Sequence, residues 1–159
     1  MARPHGANSP QVKEGPIIVI VDDDVDVLLT LSDYFRAAIP NARIFPAESG
    51  PAALEFIREN PPDLVVTDWR MPGLTGLELA DILNESPRPP ATILMTARPS
   101  VGLAYQATTV HGVSAIFSKP FDAAVMVSTA LDLIERREPG AIPAVPGSRP
   151  LGPARGQAT

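Results

Sequence analysis

Cysteine is absent from the 159 residues, which excludes disulfides, thiolate metal centres and cysteine nucleophiles and suits a reducing compartment. Histidine is scarce: His5 lies near the N-terminus and His111 at an expected helix end, and neither is read as a metal ligand. No stretch approaches the ~18 consecutive apolar residues of a membrane span, and residues 1–15 lack the apolar segment of a secretion signal. Clustered basic charge is missing too. With 13 Lys and Arg against 18 Asp and Glu, the formal charge is −5, which argues against nucleic acid or an anionic membrane as the main partner. The remaining composition is that of an ordinary globular protein, 45% hydrophobic and 19% charged, and the length suits one domain. A cytoplasmic protein is expected.

Proline is frequent, at 19 residues, and its placement is informative. Residues 139–159 are rich in Pro, Gly and Ala with no periodic apolar face to bury, so a disordered tail is expected there. Residues 1–15 are a shorter segment of the same kind. Residues 16–138 are left as the folded domain, with no room for a second one and no output segment expected after Glu138.

Within that core, short apolar runs alternate with stretches of helical period, the pattern of a parallel sheet covered by helices. The first strand is Ile17-Ile18-Val19-Ile20-Val21, apolar throughout as a strand covered on both faces must be. The helix after it aligns Leu28, Leu31, Phe35 and Ala38 and stops before Pro40. A second strand runs around Ala42 to Phe45. Ser49-Gly50-Pro51 then offers an N-cap and a first-turn proline for a helix reaching about Glu59. Leu64-Val65-Val66-Thr67 is the third strand. Thr75 and Glu78 form a capping box for a helix with Leu79, Ile82 and Leu83 inward. Thr92 to Met95 is the fourth strand, followed by a weaker helix from near Ser100 to Gly112. Ser114 to Phe117 is the fifth. The last helix aligns Val127, Ala130, Leu131 and Ile134. The expected fold is α/β, a five-stranded parallel doubly wound sheet flanked by five helices.

In such sheets ligands gather beyond the carboxyl ends of the strands. There stand Asp22, Asp23 and Asp24 after the first strand, Asp68 after the third, Thr96 after the fourth and Lys119 after the fifth. A single aspartate in that position usually caps a helix or turn. Three carboxylates from Asp22, Asp23 and Asp68, however, repel in a partly dry crevice unless a hard cation neutralises them, and Mg²⁺ suits a small all-oxygen set better than zinc. A carboxylate beside such an ion attacks phosphorus to give an aspartyl-phosphate. Lys119 and the Thr96 hydroxyl are suitable partners for the added charge.

The segments VDDD at Val21 to Asp24, DWRMPGLTGLEL at Asp68 to Leu79, MTA at Met95 to Ala97 and SKPF at Ser118 to Phe121 resemble the response-regulator receiver domain of bacterial two-component signalling. The resemblance implies a flavodoxin-like strand order 2-1-3-4-5 and a protein that signals rather than turns over a substrate. It implies Asp68 as phosphoacceptor, Asp23 as a direct Mg²⁺ ligand, Asp22 as a ligand largely through water, and the Arg70 backbone carbonyl as another. Thr96 becomes the switch hydroxyl and Lys119 the phosphate-binding lysine, with Lys119-Pro120 cis. The implied partners are a sensor histidine kinase or histidine phosphotransfer protein and an unnamed downstream protein, met by the fourth helix, fifth strand and last helix.

Two departures stand out. Three residues before the lysine, where the family usually has an aromatic residue that swings inward, this chain has Ile116; Phe117 points to the opposite sheet face and is no substitute. Arg70 and Arg98 lie two residues beyond Asp68 and Thr96, and either line the mouth of the site or are solvated surface charges. Trp69, the lone tryptophan, is expected near the site as a packing residue, Asp24 as a helix cap, and Met71-Pro72-Gly73 as the shaper of the loop beside Asp68. Two rivals are kept. Asp24-Val25-Asp26 also resembles the nucleophile motif of haloacid-dehalogenase-type phosphatases, and Ile116 hints at a binding module that works without phosphorylation.

Overall fold

A computed structural model describes residues 14–137; the expected tail of residues 139–159 and most of the N-terminal segment lie outside the described residues. Five strands and five helices alternate: β1 Ile17–Val21, α1 Val25–Ala38, β2 Arg43–Ala47, α2 Gly50–Glu59, β3 Leu64–Asp68, α3 Gly76–Asn84, β4 Ala91–Thr96, α4 Val101–Thr109, β5 Ala115–Ser118 and α5 Ala123–Arg136. The strands pair in parallel in the order β2-β1-β3-β4-β5, the order that the resemblance implies. Pro46 extends β2 beyond the expected end at Phe45, which an edge strand tolerates because proline removes only one donor.

Alternation along each strand feeds two layers. Ile18, Ile20, Leu64, Val66, Ile93 and Met95 point to the layer under α1 and α5, where they meet Leu28, Leu31, Phe35, Met126, Val127 and Ala130. Val19, Val21 and Val65 point the other way, to Ala53 of α2 and Leu79 and Leu83 of α3. Leu94 meets Leu77, Ala80, Leu103 and Ala107 under α3 and α4. Burying each Leu, Ile or Phe contributes roughly 1.5–3 kcal/mol.

Two inward assignments are corrected. Ala38 is exposed, and Ile39, the residue after the helix, takes the buried place because the chain turns there toward β2. Ile82 is 43% exposed: α3 is wedged between two clusters and buries Leu77, Ala80, Leu79 and Leu83, and residue 82, about 200° around the helix from residue 80, falls outside both. In α5, Leu131 and Ile134 are half-buried, and Met126 supplies the fully buried side chain.

Ser32 of α1 is fully buried, and its hydroxyl meets no hydrogen-bond partner in the structure. An unmade buried hydrogen bond costs about 1–3 kcal/mol, and alanine is also the better helix former. Ser32→Ala is therefore expected to raise stability by about 1 kcal/mol, read as a higher urea midpoint at unchanged slope. A lower midpoint would show that the hydroxyl is satisfied.

Candidate functional site

Register brings the acidic residues together. Val21 pairs with Thr67, so the next residues, Asp22 and Asp68, emerge side by side; Asp68 pairs with Met95, and Thr96 with Ser118, so Thr96 and Lys119 reach the same rim. One carboxylate oxygen each from Asp22, Asp23 and Asp68 lie within 4.8 Å of one another. Asp22 is 1% and Asp68 8% exposed, whereas Asp23 is open to solvent. Lys119 Nζ lies 2.8 Å from Asp22 Oδ2 and 3.1 Å from Asp68 Oδ1.

Burial pushes the Asp22 carboxyl above the usual carboxylate range, against the pull of the Lys119 ammonium and the Asp24 backbone N–H. Burial also works to lower the Lys119 ammonium, but the two carboxylates outweigh it and hold it above the usual lysine range. Three formal negative charges thus face one lysine in a partly dry cleft, leaving two uncompensated. The all-oxygen donor set and that charge deficit fit Mg²⁺.

A cavity of about 190 Å³ opens over this cluster, lined by Asp68, Trp69, Arg70, Thr96, Ala97, Arg98 and Lys119. Both arginines line this mouth and both are exposed to solvent. Small Ala97 leaves the entrance clear. The Lys119-Pro120 peptide is cis, as the resemblance implied. Asp24 caps α1, its Oδ1 accepting from the backbone N–H groups of Asp26 and Val27. That carboxylate is committed to the helix terminus, which disfavours the phosphatase-like reading. Ile116 and Phe117 do face opposite layers: Ile116 packs with the α4 cluster, and Phe117 with the α1/α5 cluster, edge-on to Phe121. Gly73 sits at φ +79° in the loop after Asp68, a turn that a side chain would resist.

Three features escaped the sequence reading. Thr96 Oγ1 accepts a hydrogen bond from the Arg98 backbone N–H at 3.0 Å; a Thr two residues before the donor is a known turn signal, weak by itself. A Cβ on Gly76 would stand 2.2 Å from the Asp68 carbonyl oxygen, a close approach that only its position beside the capping Thr75 hinted at. The Arg70 guanidinium lies over the Trp69 ring, 4.7 Å from its centroid.

Comparison with known proteins agrees with this geometry. Residues 18–131 match the response regulator receiver domain family. Among curated proteins, the chain is similar to sporulation initiation phosphotransferase F of Bacillus subtilis, 31% identical over 108 residues, 66% of this chain and 82% of that protein. It is also similar to the transcriptional regulatory protein PrrA of Mycobacterium tuberculosis, 32% identical over 122 residues, 77% of this chain but 51% of that protein. The chain thus spans most of the first relative and about half of the second. Among solved structures, the signal receiver domain of NarL from Mycobacterium tuberculosis is 25% identical with a TM-score of 0.70, covering 77% of this chain and 98% of that one. The receiver domain of a LuxO repressor protein from Vibrio parahaemolyticus gives 25% and 0.71, covering 77% and 92%. Taken with the acidic cluster at the strand ends, the match over residues 18–131 shows that this chain belongs to the response regulator receiver domain family.

Proposed function

We propose that Asp68 is the phosphoacceptor of this receiver and takes its phosphoryl group from a phosphohistidine on a sensor kinase or phosphotransfer protein. The carrying observation is the meeting of Asp22, Asp23 and Asp68 within 4.8 Å beside Lys119. An Asp68 carboxylate oxygen attacks phosphorus, the phosphorus–nitrogen bond breaks, and the departing imidazole nitrogen keeps the electron pair and takes a proton from solvent. Asp23 and Asp68, with the Arg70 carbonyl and with Asp22 through water, would hold Mg²⁺, which when bound offsets charge on the transferring oxygens. Lys119 positions the attacking carboxylate and then meets a phosphoryl oxygen.

The added charge, about −1.5 to −2, then acts on Thr96. Its oxygen already accepts from Arg98 N–H, so its own proton is available to the phosphoryl group. Drawing the hydroxyl inward loosens that turn and moves the segment leading into α4. The signal leaves by contact with a protein, in the cytoplasm, rather than by turnover of a substrate.

The test is incubation with acetyl phosphate and Mg²⁺. Wild type is expected to gain one hydroxylamine-sensitive phosphoryl group by mass, lost with a chelator and in Asp68→Asn; equal labelling of that variant would overturn the assignment. Mg²⁺ alone should also stabilise the fold. At ten times its Kd, single-site linkage gives about 1.4 kcal/mol, a rise of about 5 °C in Tm for a domain of this size. An equal rise in Asp23→Asn would put the ion elsewhere.

A further inference from the structure

Trp69 is pinned and Arg70 is not. The Trp69 N–H donates to the Met95 carbonyl at 2.8 Å, and the Trp69 carbonyl accepts from Gly76 N–H at 2.9 Å. Its indole is half-buried and packs on the cluster that holds α4 down, with Leu103, Ala107 and Ile116. Arg70 is exposed, and its guanidinium lies over that half-buried indole. The two residues form a common wall between the cavity over Asp68 and a larger one of about 510 Å³ lined also by Met71, Pro72 and Thr75.

A guanidinium on an exposed aromatic face is held weakly, whereas a phosphoryl group offers it charge-assisted, bidentate hydrogen bonds. The stronger site wins once it exists. Ile116, a branched aliphatic, stands where an inward-swinging aromatic would be needed to relay the event, and it touches the same cluster as Trp69.

We propose that Arg70 is a positioning residue that moves from the Trp69 ring to the phosphoryl group on Asp68, and that the uncovered indole relays phosphorylation to α4. This rests on Asp68 being the phosphoacceptor. The route is short: Asp68, Arg70, Trp69, then the buried cluster to which α4 contributes Leu103 and Ala107. Arg98, on the other side of the mouth, has no aromatic ring beneath it among the described contacts and serves as the internal control.

The experiment follows the emission of Trp69, the lone tryptophan, during phosphorylation by acetyl phosphate with Mg²⁺, with phosphoryl occupancy measured by mass on the same samples. Hydrogen exchange of α4 is read at matched occupancy. In wild type the emission shifts in step with occupancy, and α4 amides change their exchange about two- to fivefold, the size set by losing one cation–π contact. At equal occupancy Arg70→Gln loses both changes, Arg98→Gln keeps them, and Trp69→Phe loses the α4 response. A phosphorylated wild type with unchanged emission, or Arg70→Gln responding like wild type, overturns the relay alone. No mass gain in wild type overturns the phosphoacceptor assignment and the relay with it.

Discussion

Lys119→Ala is expected to slow phosphoryl uptake by about a hundredfold or more, the cost of losing one preorganised positive group at a site where charge develops. The same change should destabilise the fold. Asp22 would lose an ammonium at 2.8 Å while remaining almost wholly buried, with the Asp68 carboxylate still beside it. Breaking one side of a buried ion pair costs about 3 kcal/mol. The two effects separate in the double variant Asp22→Asn with Lys119→Ala. It removes the orphaned charge, so urea unfolding should return to within about 1 kcal/mol of wild type, while uptake stays low. Recovery of uptake along with stability would mean that Lys119 only holds the fold.

The sign of the Asp22 contribution supports that expectation. Burial raises its pKa above the usual carboxylate range, so the contribution is favourable below that range and is lost as pH rises through the raised pKa. At neutral pH the ionised carboxylate is a net cost to the folded chain, moderated by Lys119. The acidic cluster is thus a place where stability is given up for chemistry.

A second large effect is expected at Gly76. An added Cβ would lie 2.2 Å from the Asp68 carbonyl oxygen and 3.0 Å from Leu94 Cδ1. Backbone on one side and a core leucine on the other leave no flexible neighbour to yield. Gly76→Ala is therefore expected to cost about 3 kcal/mol, the upper part of the usual range for overpacking, and to shift Asp68 enough to lower uptake at equal folded fraction. Gly102, with nothing within 4 Å of its added Cβ, is the control: Gly102→Ala, inside α4, should stabilise by up to about 1 kcal/mol. Urea melts of both variants check the pair, and a tolerated Gly76→Ala would show that α3 sits farther from β3 than described.

The sheet was legible because a parallel strand buried on both faces must be apolar at nearly every position, as Ile17 to Val21 and Leu64 to Val66 are. The helix caps were legible for a local reason: Asp24, Ser49 and Thr75 each satisfy an N–H two or three residues away. The inward faces were less so. Periodicity placed Ala38 and Ile82 inside, but which residues lie inside depends on how neighbouring helices crowd one short helix, and that is a property of packing. Asp22, Asp23, Asp68, Thr96 and Lys119 could be named because each stands at or just past the carboxyl end of a strand, and strand register does the rest. The Arg70–Trp69 stack and the Gly76 approach join atoms whose closeness depends on side-chain rotamers and on the setting of α3 against β3, which one-dimensional spacing does not carry.

One carboxylate, that of Asp68, is expected to receive phosphorus. Borohydride reduction of the acetyl phosphate-treated chain, followed by peptide sequencing in the mass spectrometer, converts a phosphorylated aspartate to homoserine and reads its position directly. Conversion at residue 68 alone is the predicted result. Homoserine at Asp22 or Asp23, or none at a chain that carries the added mass, would contradict it.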